Sequence, residues 1–244
     1  MKEALVLMAK APIEGTVKTR LIHSPRQAPW TAAEVTELYQ AFLRDTIATM
    51  EEVWRDRETL SLVLCYTPEG AEETLESFWE GGILLPQGAG DLGARLTDCF
   101  ETLREAGFER VVVIGADCPT LPPEFLKQAF DQIHDDRTVV LGPTRDGGYY
   151  LLAAARLPEG ALSDLPWSTD RLLAQTIQRL EEAGSICATL PLLEDVDTPE
   201  DLSRLEAQLV IDPSLARSTS RYLQARRRRI ALLSSPSLDD RHEP

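Results

Sequence analysis

Residues 9–21, AKAPIEGTVKTRL, set Lys10, Lys18 and Arg20 around a loop that contains Pro12 and Gly15. The chain carries a formal net charge of −15, so a small cationic loop stands out against it. A glycine-containing turn can offer backbone N–H groups while lysine and arginine neutralise phosphate oxygens, which points to an anion site. The spacing is not that of a Walker A loop, because two residues separate Gly15 from Lys18-Thr19. A surface loop whose cations pair with neighbouring acids is the alternative.

Carboxylates form the second set of candidates. GADCPTLPPEFL (115–126) places Asp117 at the end of an apolar run, followed by Pro119 and a helical pattern. Such a carboxylate could cap the turn, or could bind Mg²⁺, which takes a few carboxylates plus substrate phosphates. EDVDTPEDL (194–202) adds Asp195 and Asp197, which share a face in an extended backbone. Helix capping by Thr198, with Pro199 in the first turn and Glu200 and Asp201 favouring the dipole, explains the rest of that stretch. It leaves Asp195 and Asp197 over.

GPTRDGGYYLL (142–152) puts Asp146 before Gly147, Gly148 and Tyr149. A hairpin turn suffices there, and a carboxylate that positions or deprotonates an acceptor is the functional alternative. PWSTD (166–170), with Trp167, either opens a helix or borders an acceptor pocket. QGAGDLGARL (87–96) holds Gly88, Gly90 and Gly93 as a formal G-x-G-x-x-G. The run before it is short, contains Pro86 and is not in the first βαβ unit, so a dehydrogenase binding NAD(H) is a minor alternative. The glycines either let a loop pass close to a nucleotide before a helix from Leu92, or make a tight strand-to-helix turn.

These residues need elements to position them. ALVLMA (4–9), LSLVLCY (60–66), VVVIGA (111–116), VVLG (139–142) and YYLLAAA (149–155) lack strict alternation, as expected of strands covered on both faces. Apolar residues at helical spacing lie between them: Val35, Leu38, Tyr39 and Phe42; Leu96, Cys99, Phe100 and Leu103; Leu126, Ala129, Phe130 and Ile133; Leu173, Ile177 and Leu180. Strand–helix alternation predicts an α/β sandwich around a mostly parallel sheet, with ligands beyond the carboxyl ends of the strands. The cationic loop, Asp117 and the Asp146 turn all fall at such ends.

The 244 residues suit one large domain plus an extension. The body is expected over 1–210, and 211–244 reads as a basic C-terminal extension, helical or partly disordered. That extension holds seven Arg against four acids, which leaves −18 on residues 1–210. Its RRRR run (226–229) reads as a solvated helix face or frayed tail, or as a contact for an anionic surface. An acidic chain repels nucleic acid over most of its surface. No apolar stretch is long enough for a membrane span, and the first one is too short for a signal peptide core, so a cytoplasmic protein is expected. Cys65, Cys99, Cys118 and Cys187 show no C-x-x-C pair and His23, His134 and His242 are scattered, so reduced thiols are expected and zinc has little support.

Taken in order, K-A-P-x-x-G-x-V-K-T-R-L, Q-G-x-G-D-L-G-x-R-L, G-x-D-C-P, G-P-x-x-D-G-G-Y-Y-L, P-W-S-T and D-V-D-T-P-E-D-L resemble the radical-SAM/selenodomain-associated transferase family. The resemblance runs from about residue 4 to 205. It implies a GT-A-like (nucleotide-diphospho-sugar transferase) three-layer α/β/α sandwich, an activated nucleotide and a divalent cation, Mg²⁺ or Mn²⁺. Members are generally classed as candidate glycosyltransferases, with a proposed link to arsenosugar synthesis. The chain is more distantly similar to molybdenum-cofactor and phospholactate guanylyltransferases, which carry a Lys/Arg loop after strand one and an Asp-x-Pro metal site. Classical GT-A glycosyltransferases use Asp-x-Asp for the metal, whereas Ala-Asp-Cys-Pro supplies one carboxylate.

The expected mechanism follows. Lys10, Pro12, Gly15, Lys18 and Arg20 hold a nucleotide from the opening loop. Gln87, Gly88 and Gly90 hold it from the glycine turn, with Asp91, Gly93 and Arg95. Asp117, Asp195 and Asp197 hold the metal. Lys18 acts on the phosphates, and Asp146 serves the acceptor beside Gly147, Gly148, Tyr149 and Trp167. Glycosyl transfer from a nucleotide sugar to a small acceptor is the leading reading. Nucleotidyl transfer from an NTP to a phosphorylated acceptor is the second, and a non-catalytic nucleotide-binding protein the third. Oligomeric state is left open, a homodimer being one option.

Overall fold

Each long apolar run forms a strand, and successive residues of one strand feed opposite sides of the sheet. The computed structural model describes residues 1–22 and 30–234. His23, His242 and the last ten residues of the basic tail lie outside the described residues. In β1 (Glu3–Lys10), Leu5, Leu7 and Ala9 enter one hydrophobic cluster while Ala4 and Val6 enter the other. β4 (Arg110–Gly115) divides in the same way, Val112 and Ile114 to one side and Val111 and Val113 to the other. Burial on both faces is why these runs do not alternate with polar residues.

The other strands are β2 (Leu60–Thr67), β3 (Ile83–Pro86), β5 (Thr138–Pro143), β6 (Tyr149–Ala154) and β7 (Ile186–Thr189). The sheet order is β3-β2-β1-β4-β6-β5-β7, and only β6 runs antiparallel to its neighbours. β7 has no counterpart among the predicted runs. Its ICAT sequence is short and half-exposed at the sheet edge, so it carries too little apolar signal.

Helices cover both faces. α1 (Thr19–Ile22) is a single turn after the first loop, and α3 (Glu72–Glu76) is also short. α4 (Leu92–Glu105) and α6 (Leu172–Glu182) pack on one face; α2 (Ala32–Arg55), α5 (Pro123–Gln132) and α7 (Pro199–Ile211) pack on the other. The result is a three-layer α/β/α sandwich around a mostly parallel seven-stranded sheet. No described helix is long and apolar enough to cross a membrane.

After α7 a 3₁₀ turn (Pro213–Ala216) leads into α8 (Arg217–Ser234), which returns along α2. Ala216 and Leu223 join the main core, and Arg226 lies 3.8 Å over the Trp30 ring. Arg226 and Arg229 pair with Glu34, and Arg227 with Glu206, so the basic run is not a uniformly solvated face. Glu34 itself closes the capping box of α2 with Thr31.

The first turn of α8 is held by a buried carboxylate. Asp45 accepts hydrogen bonds from Ser218 N (2.7 Å) and Thr219 N (2.8 Å). Removing it leaves two amide donors without partners at a buried junction. Asp45→Ala is expected to cost about 2 kcal/mol in urea unfolding; a loss below about 0.5 kcal/mol would show that water replaces the carboxylate.

Candidate functional site

The carboxyl ends of β1 and β4 lie side by side because the two strands pair in parallel register from Glu3↔Arg110 to Met8↔Gly115. The loop after β1 therefore faces the loop after β4. Lys18 sits in that first loop with φ 47°, a left-handed conformation uncommon for a residue with a side chain. Its ammonium reaches Asp117 Oδ1 at 2.5 Å and Asp197 Oδ1 at 2.7 Å. Arg20 Nη1 stands 3.6 Å from the other oxygen of Asp197. The Lys18 side chain is 5% exposed, whereas those of Asp117 and Asp197 are 46% and 38% exposed, so the carboxylates remain reachable. Burial alone would push the ammonium down, but Asp117 and Asp197 outweigh it and hold Lys18 above its ordinary value.

Asp197 is brought there by two backbone ties. Val196 N donates to Asp117 O at 3.0 Å, which lays residues 195–197 against the end of β4. Asp201 Oδ2 accepts from Asp197 N and Thr198 N, while Thr198 Oγ1 caps α7. The helix start predicted at Thr198-Pro199 is thus what fixes the segment before it.

A cavity of about 660 Å³ opens between these loops. Lys10, Lys18 and Arg20 line it from the first loop, and Asp117 and Asp197 from the acidic side. Gln87, Gly90, Asp91 and Arg95 line its far wall. Gln87 Nε2 donates to Cys65 O (2.9 Å) and Ala9 O (3.4 Å), tying together the ends of β2 and β1. Arg95 donates from Nε to Gly90 O and from Nη1 to Gln87 Oε1, which sets its guanidinium at the wall. Asp91 caps α4 by accepting from Ala94 N. Tyr149 lines the cavity because β6 runs backwards and begins at this end of the sheet.

Other predicted residues stand elsewhere. Pro12 and Gly15 belong to the first loop but do not line the cavity, and neither do Gly88 and Gly93. Gly93 lies in the first turn of α4, where a Cβ would collide with the Leu162 carbonyl and crowd the Trp167 ring. Its small size serves packing. Trp167 stands behind Tyr149, edge-on with ring centres 6.3 Å apart. Asp146 Oδ1 accepts from Thr144 Oγ1 (2.6 Å) and Gly148 N (3.0 Å), the bonds of a hairpin turn. Gly147, at φ 89°, allows that turn and leaves no room for a Cβ beside Asp170.

Asp195 also stands apart from the Lys18 pair. Burial and then the charge of Asp146, with smaller effects from Asp197 and Asp201, push it up to about 6. Among the described residues no three His, Cys, Asp or Glu side chains gather as a metal-holding group, so the expected cluster of Asp117, Asp195 and Asp197 is not formed by the side chains alone. Tyr39 is a cavity residue that the sequence did not mark. It reads as one more apolar position of α2, yet its hydroxyl accepts from Lys10 N at 3.2 Å, and burial raises its pKa. The need of a buried tyrosine hydroxyl for a polar partner was the available signal.

Comparison with known proteins adds to this geometry. Residues 49–169 match the family described as "Uncharacterized protein conserved in bacteria (DUF2064)". No curated protein matches the chain. The crystal structure of a candidate nucleotide-diphospho-sugar transferase from Desulfovibrio desulfuricans G20 is similar over 95% of this chain and 98% of that one, with 26% identity and a TM-score of 0.82. A cytidylyltransferase from Leptospira borgpetersenii shares the fold at 14% identity, TM-score 0.52, over 98% of this chain and 99% of that one. A 4-diphosphocytidyl-2C-methyl-D-erythritol synthase does so at 15% identity, TM-score 0.51, over 86% and 98%.

The raised Asp195 gives a signed pH dependence. Its ordinary value is 3.8, so between about pH 4 and 6 the unfolded chain releases a proton that the folded protein keeps. Ionised Asp195 therefore costs stability, fully above pH 6 and not at all below about pH 3. In EDTA, Asp195→Asn is expected to stabilise the fold by about 1–2 kcal/mol at pH 8 and to leave it unchanged at pH 3. Urea unfolding at the two pH values checks this, and a variant no more stable at pH 8 would refute it.

Proposed function

We propose that this protein is a metal-dependent transferase of activated nucleotides, moving a sugar from a nucleotide-diphospho-sugar to a small acceptor. One observation carries the reading. Lys18 and Arg20 converge with Asp117 and Asp197 on one wall of a cavity whose volume suits a nucleotide. Had the loop cations pointed away from Asp117, no single diphosphate could engage both. The likeness to the Desulfovibrio protein and the motif resemblance to radical-SAM/selenodomain-associated transferases support the same class.

The donor set fits Mg²⁺ or Mn²⁺. Asp117 and Asp197 each keep one carboxylate oxygen off Lys18, and hard divalent cations take a few such oxygens with phosphates completing the shell. When bound, the metal would neutralise charge growing on the leaving phosphate. The protein's own cations do the same work from the other side. Lys18 and Arg20 donate to phosphate oxygens, where preset donors stabilise the departing diphosphate. Lys10 and Arg95 hold the remainder of the nucleotide against the wall that Gln87 fixes. Tyr149, backed by Trp167, borders the acceptor side; Asp146, held in the hairpin outside the cavity lining, would serve an acceptor only where it extends past Tyr149.

A second reading, nucleotidyl transfer with pyrophosphate as leaving group, is favoured by the single carboxylate of Ala-Asp-Cys-Pro where glycosyltransferases carry Asp-x-Asp. Incubation with a panel of nucleotide sugars, with water as default acceptor, and with NTPs, each with Mn²⁺, separates the two. Release of NDP is the expected product, and pyrophosphate would select the second reading. Asp117→Asn is expected to lower kcat/KM by about 10²–10³-fold. No turnover from any donor, or turnover indifferent to Asp117→Asn, would overturn both.

A further inference from the structure

Two carboxylates that could hold a divalent cation already hold a cation of the protein's own. Lys18 Nζ lies 2.5 Å from Asp117 Oδ1 and 2.7 Å from Asp197 Oδ1, between the two groups. Arg20 adds positive charge on the outer oxygen of Asp197. A divalent ion entering this arrangement would meet an ammonium within bonding distance of both ligands, and the described residues offer no third His, Cys, Asp or Glu to compensate. We propose that Lys18 and a divalent metal are alternative occupants of the Asp117–Asp197 pair. In the ligand-free protein Lys18 closes the pair to metal, and it yields when phosphate oxygens draw its ammonium away.

At φ 47° the main chain of Lys18 lies in the left-handed region, which is unfavourable for a residue with a Cβ. Such a conformation persists where surrounding contacts over-determine it, and here the two ion pairs and the hydrogen bond from Leu21 N to Lys18 O provide that. Loss of the ion pairs frees the ammonium, while the backbone at Lys18 stays tied by the Leu21 N–Lys18 O hydrogen bond of 2.9 Å. The carboxylates need not move, because Val196 N–Asp117 O and the cap of α7 fix them independently of Lys18. Lys18 thus makes metal uptake conditional on the phosphate-bearing ligand. The last statement rests on the nucleotide-binding reading above; the competition between Lys18 and metal does not.

Mn²⁺ titration of the full-length protein without nucleotide, followed by the electron paramagnetic resonance signal of free Mn²⁺, tests that competition alone. Lys18→Met is expected to bind one Mn²⁺ at least about tenfold more tightly than the unmodified protein, since a charge repelling the metal is gone. Lys18→Gln, which keeps a hydrogen-bond donor for the two carboxylates, should show the same direction and covers the case in which Lys18→Met does not fold. Adding Asp117→Asn to either should abolish the gain. Equal affinity in the unmodified protein and the folded Lys18 variants would overturn the inference, as would a gain that survives Asp117→Asn. None of these outcomes depends on a nucleotide, so failure here and failure of the transferase assay are separate results.

Discussion

The buried ammonium of Lys18 is the constraint around which the rest of the site is arranged. An unpaired charge at 5% exposure would be strongly unfavourable, so the chain must deliver carboxylates to it. They come from far apart: Asp117 from the end of β4, and Asp197 from the segment that enters α7. The sheet order makes the first delivery unavoidable, because β1 and β4 are neighbours and end together. The second depends on residues 195–197 lying against Asp117 through Val196 N and on the capping box at Thr198. Packing of α7 on the core is therefore a condition for the charge balance at the other end of the sequence.

The same accounting explains how so acidic a chain presents a cationic cavity. A net charge of −15 would repel a nucleotide over most of the surface. Three arginines of the C-terminal run are paired within the fold, Arg226 and Arg229 on Glu34 and Arg227 on Glu206. Lys10, Lys18, Arg20 and Arg95 line the cavity together with Asp91, Asp117 and Asp197, so the cavity escapes the strong negative balance of the chain.

Legibility in the sequence followed burial. Strands covered on both faces and helices with a regular apolar stripe could be read directly, since each residue type reports its own environment. β7 could not, because an edge strand buries too little to leave a pattern. For the site, residues whose chemistry is local were readable: the cationic loop, Asp117, and the Thr198 cap with Asp197 before it. What escaped depends on pairwise geometry. Gly93 looked like a nucleotide-approach glycine, but its missing Cβ accommodates Leu162, about seventy positions away in the chain. Tyr39 looked like a core position, and only the meeting of α2 with the end of β1 gives its hydroxyl to Lys10 N. Asp195 shares a short motif with Asp197, yet buried Val196 lies between them, and Asp195 answers first to its own burial and then to the charge of Asp146.

The single carboxylate in Ala-Asp-Cys-Pro has a structural logic of its own. Two residues to either side of Asp117 stand Gly115, the last residue of β4, and Pro119; neither can donate to a metal. Cys118 is buried in the main core, where burial first and the neighbouring carboxylates second push its thiol well up, so a carboxylate at that position would itself lack solvation. A second acidic oxygen must then come from another segment, and Asp197 is the one that meets Asp117 across Lys18. In an Asp-x-Asp site both ligands lie on one short stretch of backbone. Here the pair exists only when residues 195–198 are docked, which couples assembly of the anionic side of the cavity to completion of the C-terminal half of the fold. Lys18 fits that arrangement, since two carboxylates brought together from distant segments repel each other until a cation lies between them.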